Sequence, residues 1–348
     1  MNMNNDSNAT LVAVTGASGF VGLHCVLALL QDGYRVCGTL RDLTRAESLR
    51  EALEKHVEIG DRLEFVTAEL TRDDGWAEAL KDCTYVLHVA SPIPRAVPKN
   101  EDDLIVPARD GALRVLAAAN TAGVSRVVLT SSIAAIINGH SHPKTYLYTE
   151  KDWTNLDRPL PPYPKSKTIA ERAAWDYMAS LGEDSALELV VINSGTVYGP
   201  ILEADYGTSG EVVRKLMRRD LPGVPKLGWG SVDMRDLATA HIKAMVVPAA
   251  AGQRFCCVAE SVWMIDVVRI LKKSFAARGY KIPTRTMPSI LVRLVSLIDK
   301  PVRLILYELD NLAEIDNSRI KEVLDWEPRG AEEMVTSMAE SMIEHKVV

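Results

Sequence analysis

Long apolar runs are missing from this chain of 348 residues. Its most apolar late stretch, Ile290 to Ile305, is broken by Arg293, Asp299, Lys300, Pro301 and Arg303. That pattern predicts amphipathic helices with a break, not a membrane span. Excess basic charge is missing too. Lys and Arg number 40 against 46 Asp and Glu, a formal net charge of −6, which disfavours a nucleic-acid partner while leaving room for a local basic phosphate pocket. Cysteine is sparse: Cys25, Cys37, Cys83, Cys256 and Cys257 are odd in number and lack metal-site spacing. They predict reduced, buried thiols in a cytoplasmic protein. His88, His140, His142 and His241 share no helical spacing, so no metal is expected. Met1 to Thr10 is polar and Asn-rich, with neither a basic nor an apolar leader-like region, and predicts a disordered tail. Repeats and low-complexity tracts are absent.

What is present is alternation. Apolar runs at Leu11–Thr15, Arg35–Leu40, Leu63–Thr67, Tyr85–Val89, Arg126–Thr130 and Leu187–Ile192 alternate with helical stretches. Those stretches are Phe20–Gln31, Thr44–His56, Gly75–Lys81, Ile105–Ala122 and Lys165–Ser180. Wholly apolar strands joined by helices predict an α/β fold, a doubly wound parallel (Rossmann) sheet covered on both faces. After Tyr198 the rhythm loosens. Residues 11–195 therefore read as a dinucleotide-binding core. Residues 196–348 read as mainly a smaller substrate-binding lobe, with some segments returning to the core.

Gly16, Gly19 and Gly22 lie between the first strand and the first helix, in Thr15-Gly16-Ala17-Ser18-Gly19-Phe20-Val21-Gly22. Small residues there allow a tight turn and let a pyrophosphate approach the amides at the positive end of the helix. Gly16, Ser18, Gly19, Phe20, Val21 and Gly22 are the expected contacts. The end of the second strand reads Leu40-Arg41-Asp42, with Arg45 following. Arg41 and Arg45 suit a 2′-phosphate and place NADP ahead of NAD, although Asp42 could instead bind a ribose hydroxyl.

Tyr163 and Lys167 stand four residues apart in Tyr163-Pro164-Lys165-Ser166-Lys167, on one face of a predicted helix. An ammonium beside a phenol favours phenolate and is expected to lower the tyrosine pKa. Pro164 disfavours the α conformation before it, so Tyr163 is expected at the N-cap or in the first turn, with Pro164 near the first helical position. Ser131 and Ser132 end the strand at Thr130, where a hydroxyl would face the cleft or merely satisfy turn backbone. Asp233 and Asp236, with Arg235 between them, predict a structural ion network. Trp175, Tyr177 and Met178 predict core or helix-surface packing.

These motifs resemble an extended short-chain dehydrogenase/reductase of the dihydroflavonol-reductase-like group, which includes cinnamoyl-CoA reductases and aldehyde or ketone reductases. The matching pieces, in order, are Thr15 to Gly22, Leu40-Arg41-Asp42, His88-Val89-Ala90-Ser91-Pro92, Pro107-Ala108 to Gly111 and Thr130-Ser131-Ser132. They continue with Tyr163 to Lys167 and Ala170-Glu171, Val232 to Asp236 with Ala240-His241, and Asp316-Asn317-Ser318. The resemblance implies Ser132 as catalytic serine, Tyr163 as proton donor, Lys167 as ribose ligand and pKa-lowering group, and Ser131 as a supporting hydroxyl. Glu69 and Leu70, Ala90 and Ser91 would complete the cofactor site. Glu69 stands where the family usually has Asp, and Asn193-Ser194-Gly195 where a proline is common. Substrate contacts are expected from Ser91 to Pro94, Ile133, Ala134 and the segment from Ser194 to Gly210, with Val197 adding apolar surface. The implied function is NADPH-dependent reduction of a hydrophobic aldehyde or ketone, reversible as alcohol oxidation, by a monomer or homodimer. Two competitors are a nucleotide-sugar epimerase or dehydratase with bound NAD, and a non-catalytic dinucleotide sensor.

Overall fold

Apolar residues on both faces let a strand be covered from both sides, and the inner strands of the main sheet use that property. The computed structural model describes residues 9–92, 98, 100–143, 145–182, 185–297, 302–303 and 306–348. Its central strands are β1 (Leu11–Thr15), β2 (Arg35–Leu40), β3 (Leu63–Thr67), β4 (Tyr85–His88) and β5 (Arg126–Ser132). Leu147–Tyr148 forms β6, pairing with Glu314–Ile315 away from the main sheet. The main sheet continues with β7 (Glu188–Ser194). Thr196–Tyr198 (β8), Val224–Pro225 (β9), Gly228–Asp233 (β10), Arg254–Cys257 (β11) and Glu260–Trp263 (β12) follow.

Seven strands pair in parallel in the order β11-β7-β5-β4-β1-β2-β3, the doubly wound sheet expected from the sequence. The order reverses beside β1, so the carboxyl ends of β1 and β4 frame a crevice. β10 pairs in parallel with β8 and antiparallel with β12, in a second small sheet.

The helices are α1 (Phe20–Gln31), α2 (Ala46–Glu54), α3 (Trp76–Ala79), α4 (Asp102–Ala122), α5 (Pro162–Ser180), α6 (Gly207–Met217), α7 (Met234–Val246) and α8 (Met264–Phe275). One apolar cluster joins α1 and α7 to the sheet, through residues such as Val14, Leu29, Leu237 and Phe255. Another holds α6, α8 and the helix Ala331–Glu344 around Tyr198, Phe275 and Met338. Buried Arg126 secures α7: its Nη1 donates to the carbonyls of Ala244, Met245 and Val247 at 2.8–3.0 Å, and its Nε to Glu188 at 2.7 Å.

Two boundaries differ from expectation in ways that matter. β5 runs on through Ser131 and Ser132, because both pair with Asn193 and Ser194 of β7. The serines therefore lie on the last rungs of the sheet, not in a turn. α5 begins at Pro162, so Tyr163 occupies its second position and Pro164 its third, one turn earlier than Lys165. Prolines there forfeit nothing, since the first four helical amides lack intrahelical acceptors.

All five cysteines are free and buried. Asp233 caps α7 and grips Arg235, while Asp236 pairs with Arg329, the expected structural network. Among the described residues, no helix is long and apolar enough to cross a membrane. Residues 1–8 of the expected tail, and much of the 298–305 stretch, lie outside the described residues.

Candidate active site

The glycine loop is shaped by contacts that admit no side chain. Gly16 has φ +66°, and a Cβ there would meet Ala90 at 3.0 Å. A Cβ on Gly22 would lie 2.2 Å from the Gly16 carbonyl oxygen. Gly19, the N-cap of α1, donates to that same oxygen at 3.0 Å. Thr39 braces the loop from β2, its Oγ1 accepting from Gly16 N at 3.0 Å and its carbonyl from Ala17 N at 3.1 Å. Phe20, Val21 and Gly22 then supply first-turn amides, with no acidic residue beside them. Ser18, Gly19, Phe20 and Val21 keep partial exposure. This donor set and this cradle fit a dinucleotide pyrophosphate.

Arg41 follows β2 and is exposed. Asp42 is engaged as a cap: its Oδ1 accepts from Thr44 N at 2.9 Å, and that bond, with Arg45 nearby, holds its carboxyl below the usual range. A carboxylate so occupied is a poor ribose grip. Arg45 reaches back to the glycine loop, donating to the Ser18 carbonyl at 3.5 Å, and forms an ion pair with Glu203 from the segment after β8. Both arginines thus follow β2; Arg41 is exposed, and Arg45 reaches the glycine loop while paired with a carboxylate. Glu69 and Leu70 follow β3, with Leu70 packed against Gly111 of α4. Among the described residues, no hydrogen bond or ion pair ties the Glu69 side chain to the loop.

The reactive cluster forms where β4, β5 and α5 meet. Adjacent strand residues face opposite sides, so Ser131 points to α5 while Ser132 points toward the crevice. The Ser132 hydroxyl accepts from Ala134 N at 3.1 Å, donates to the Ser194 carbonyl at 3.4 Å, and acts on the Tyr163 phenol to lower its pKa. Lys167 is 8% exposed, and its Nζ donates to Ser91 Oγ at 3.0 Å. That nitrogen lies 5.9 Å from the centroid of the Tyr163 ring.

Burial raises the Tyr163 phenol above its ordinary range, Ser132 works against that, and Glu308 adds to it. The net direction is up, whereas the tyrosine–lysine spacing predicts a lowered phenol, so desolvation of the ring dominates this group. A phenol that stays protonated at neutral pH is the form a proton donor needs.

Burial lowers the Lys167 ammonium to about 8, with the Glu171 charge opposing.

Ser91 accepts from Lys167, and Ala90 closes against Gly16. Pro92 is half-buried just beyond, whereas residues 93–97, including Pro94, lie outside the described residues. Ile133 and Ala134, on the turn after β5, are 6% and 9% exposed, so they offer the crevice little surface. Ser194 pairs opposite Ser132, its Oγ donating to the Ser131 carbonyl at 3.3 Å. Val197 lies on β8, partly buried against the main core.

The sequence assigned no role to Glu203 or Arg254, a structural one to His88, and none to Thr15, Glu171 or Asn193 beyond their places in motifs. Thr15 Oγ1 accepts from the amides of Val89 and Ala90, both at 3.0 Å, and meets His88 Nδ1 at 2.8 Å. Two amides use its lone pairs, so its proton goes to His88 and the Nε2–H tautomer follows. Burial, helped by the Lys167 charge, lowers His88 to about 3 and keeps it neutral. The apolar residues before His88 were the available signal for its burial.

Fold and site together define an extended short-chain dehydrogenase/reductase. The chain belongs to the NAD dependent epimerase/dehydratase family, whose pattern matches residues 12–255. Among individual proteins it is similar to the NADPH-dependent methylglyoxal reductase GRE2 of Saccharomyces cerevisiae, 30% identical over 345 residues, 91% of this chain and 99% of that one. Cinnamoyl-CoA reductase CAD2 of Medicago truncatula is 33% identical over 278 residues, 78% of this chain and 83% of that one. The crystal structure of yeast methylglyoxal/isovaleraldehyde reductase Gre2 complexed with NADPH superposes with a TM-score of 0.80 at 27% identity, covering 97% of this chain and 99% of that one.

Proposed function

We propose that this protein is an NADPH-dependent reductase of hydrophobic aldehydes or ketones, working reversibly on the alcohols, with Ser132, Tyr163 and Lys167 as its reacting set. The convergence of Ser132, Tyr163, Lys167 and Ser91 at the carboxyl ends of β4 and β5, beside the glycine loop, carries this reading. Relatives named as NADPH-dependent reductases support it.

A reduced nicotinamide, when bound, supplies hydride to the carbonyl carbon. Tyr163 donates its phenolic proton to the carbonyl oxygen, which the Ser132 hydroxyl orients. Lys167 holds the ribose, and its positive charge stabilises the phenolate left on Tyr163. Arg41 and Arg45 hold the 2′-phosphate. The nucleotide-sugar alternative needs a carboxylate for the bare ribose, and the occupied Asp42 supports it poorly. Buried, unpaired cysteines suit a cytoplasmic setting.

The test is oxidation of NADPH and of NADH by the purified protein across aldehydes, aryl ketones and diketones. We expect NADPH to be preferred by at least about tenfold in kcat/KM, the worth of one charged hydrogen bond. A preference for NADH overturns the roles of Arg41 and Arg45. The Arg45–Glu203 ion pair adds a second measurement. Glu203→Gln should tighten NADPH binding about threefold, the scale of a half-exposed pair, and leave NADH unchanged. Weaker NADPH binding in a fluorescence titration would show that Arg45 does not serve the phosphate.

A further inference from the structure

Behind the reacting strand lies a buried charged network that the proton-transfer scheme leaves unused. Glu171 is 1% exposed and sits one helical turn beyond Lys167 on α5. Its Oε1 accepts from Arg254 Nε at 2.5 Å. Its Oε2 accepts from Ser131 Oγ at 2.5 Å and Asn193 Nδ2 at 2.7 Å. Arg254 is fixed in turn by the carbonyls of Glu150 and Asp152, at 2.7 and 3.1 Å, and stacks 3.6 Å over the Trp153 ring. Asn193 Nδ2 also donates to the Ser132 carbonyl at 3.3 Å, so two acceptors set the amide's orientation. Among the described residues, Asn193 Oδ1 and Arg254 Nη2 are buried without a hydrogen-bond partner.

A buried Glu–Arg pair contributes little net stability, because desolvation offsets its attraction. Its position suggests another use. Between this network and Lys167 lies a cavity of about 20 Å³, lined by His88, Ser91, Thr130, Ser131, Lys167 and Glu171 among others. That volume suits a single water, which needs two to four polar partners. Four are available here. Lys167 Nζ and the Nε2–H of His88 can donate to the water. Ser131 Oγ, whose proton is spent on Glu171, can accept from it, as can the free lone pair of Glu171 Oε1.

We propose that the cavity holds one water joining the Lys167 ammonium to Ser131 and Glu171, and that Glu171, charged opposite Arg254, is the positioning residue that aims Lys167 and keeps it protonated. The inference rests on the role given to Lys167 above. Glu171 is the charge that opposes the lowering of Lys167 by burial. The other groups facing Lys167 do not replace it. From β4 comes neutral His88, from the following loop the Ser91 hydroxyl, from β5 Ser131, from α5 the protonated Tyr163, and from α4 only Ala108 and Ala112. Arg254 acts at one remove, through Glu171.

The experiment follows NADPH binding, by fluorescence titration, and kcat/KM from neutral to alkaline pH. In the unmodified protein both should fall along one alkaline limb as Lys167 loses its proton. Glu171→Gln should move that limb down by about one pH unit, and Glu171→Asp should restore most of the shift. If Glu171→Gln fails to fold with Arg254 left unpaired, the double variant with Arg254→Gln removes both charges and should move the limb in the same direction. A limb in its original place in either folded variant overturns the proposal. If Lys167→Met itself leaves limb and turnover intact, the role of Lys167 in the proposed reaction fails, which is a separate result.

Discussion

Tyr163→Phe should lower kcat about 10³-fold while leaving NADPH affinity within about twofold, the usual scale for loss of a general acid. The substitution removes one oxygen from a half-buried ring at the second position of α5 and keeps the packing below it. Lys167 stays on Ser91 and Ser132 keeps its amide from Ala134, so the ribose binding and carbonyl orientation proposed for them should survive. Only the proton source is lost. Water is a poor substitute, because the phenol stands where burial already raises its pKa. Steady-state turnover with the best carbonyl substrate, together with a fluorescence titration of NADPH, separates chemistry from binding. Unchanged turnover would sink the mechanism. A large loss of NADPH affinity would mean that the tyrosine mainly holds the cofactor.

Gly22→Ala carries the second large effect, and it acts on binding instead. The new Cβ would lie 2.2 Å from the Gly16 carbonyl oxygen, well inside any tolerated contact. Relief by moving Gly16 is blocked, since Gly16 already approaches Ala90 and is bonded to Thr39. Overpacking of this kind costs about 3 kcal/mol, and the adjustment falls on the loop that would face the pyrophosphate. NADPH dissociation constants should rise by about 10²-fold, with a fall in thermal midpoint that NADPH no longer reverses. Wild-type affinity in this variant would show that the loop does not hold the cofactor. Gly123, with open space around its Cβ position, is the contrasting site where crowding cannot operate, although its φ of +72° still disfavours alanine.

Much of the scaffold was legible because its physics is local. Wholly apolar runs of five or six residues between amphipathic stretches can only be strands covered on both sides, and they formed the expected sheet. The glycine spacing was legible for the same reason: Gly22 must be small so that α1 can sit against the turn at Gly16. Tyr163 and Lys167 are four residues apart on one helix, so their shared face followed from helical geometry. The end of β5 was misread by two residues, because Ser131 and Ser132 are extended by pairing with β7, about sixty residues away in sequence.

The electrostatics of the site were the least legible part. A lysine four residues from a tyrosine suggests a lowered phenol, yet burial of the ring raises it, and burial is a property of the packed whole. Arg45 read as a free cation until folding brought Glu203 beside it from 158 positions away. Glu171 read as a motif letter until β11 delivered Arg254 and β7 delivered Asn193 to its two oxygens.

By itself, then, the sequence determined the α/β class, the glycine loop, the Tyr163–Lys167 pairing and the basic end of β2, because each depends on spacing within one or two neighbouring elements. Tertiary structure alone decided which groups are charged, which are paired and which are dry. Those properties depend on desolvation and on partners from distant segments, and no local spacing encodes either.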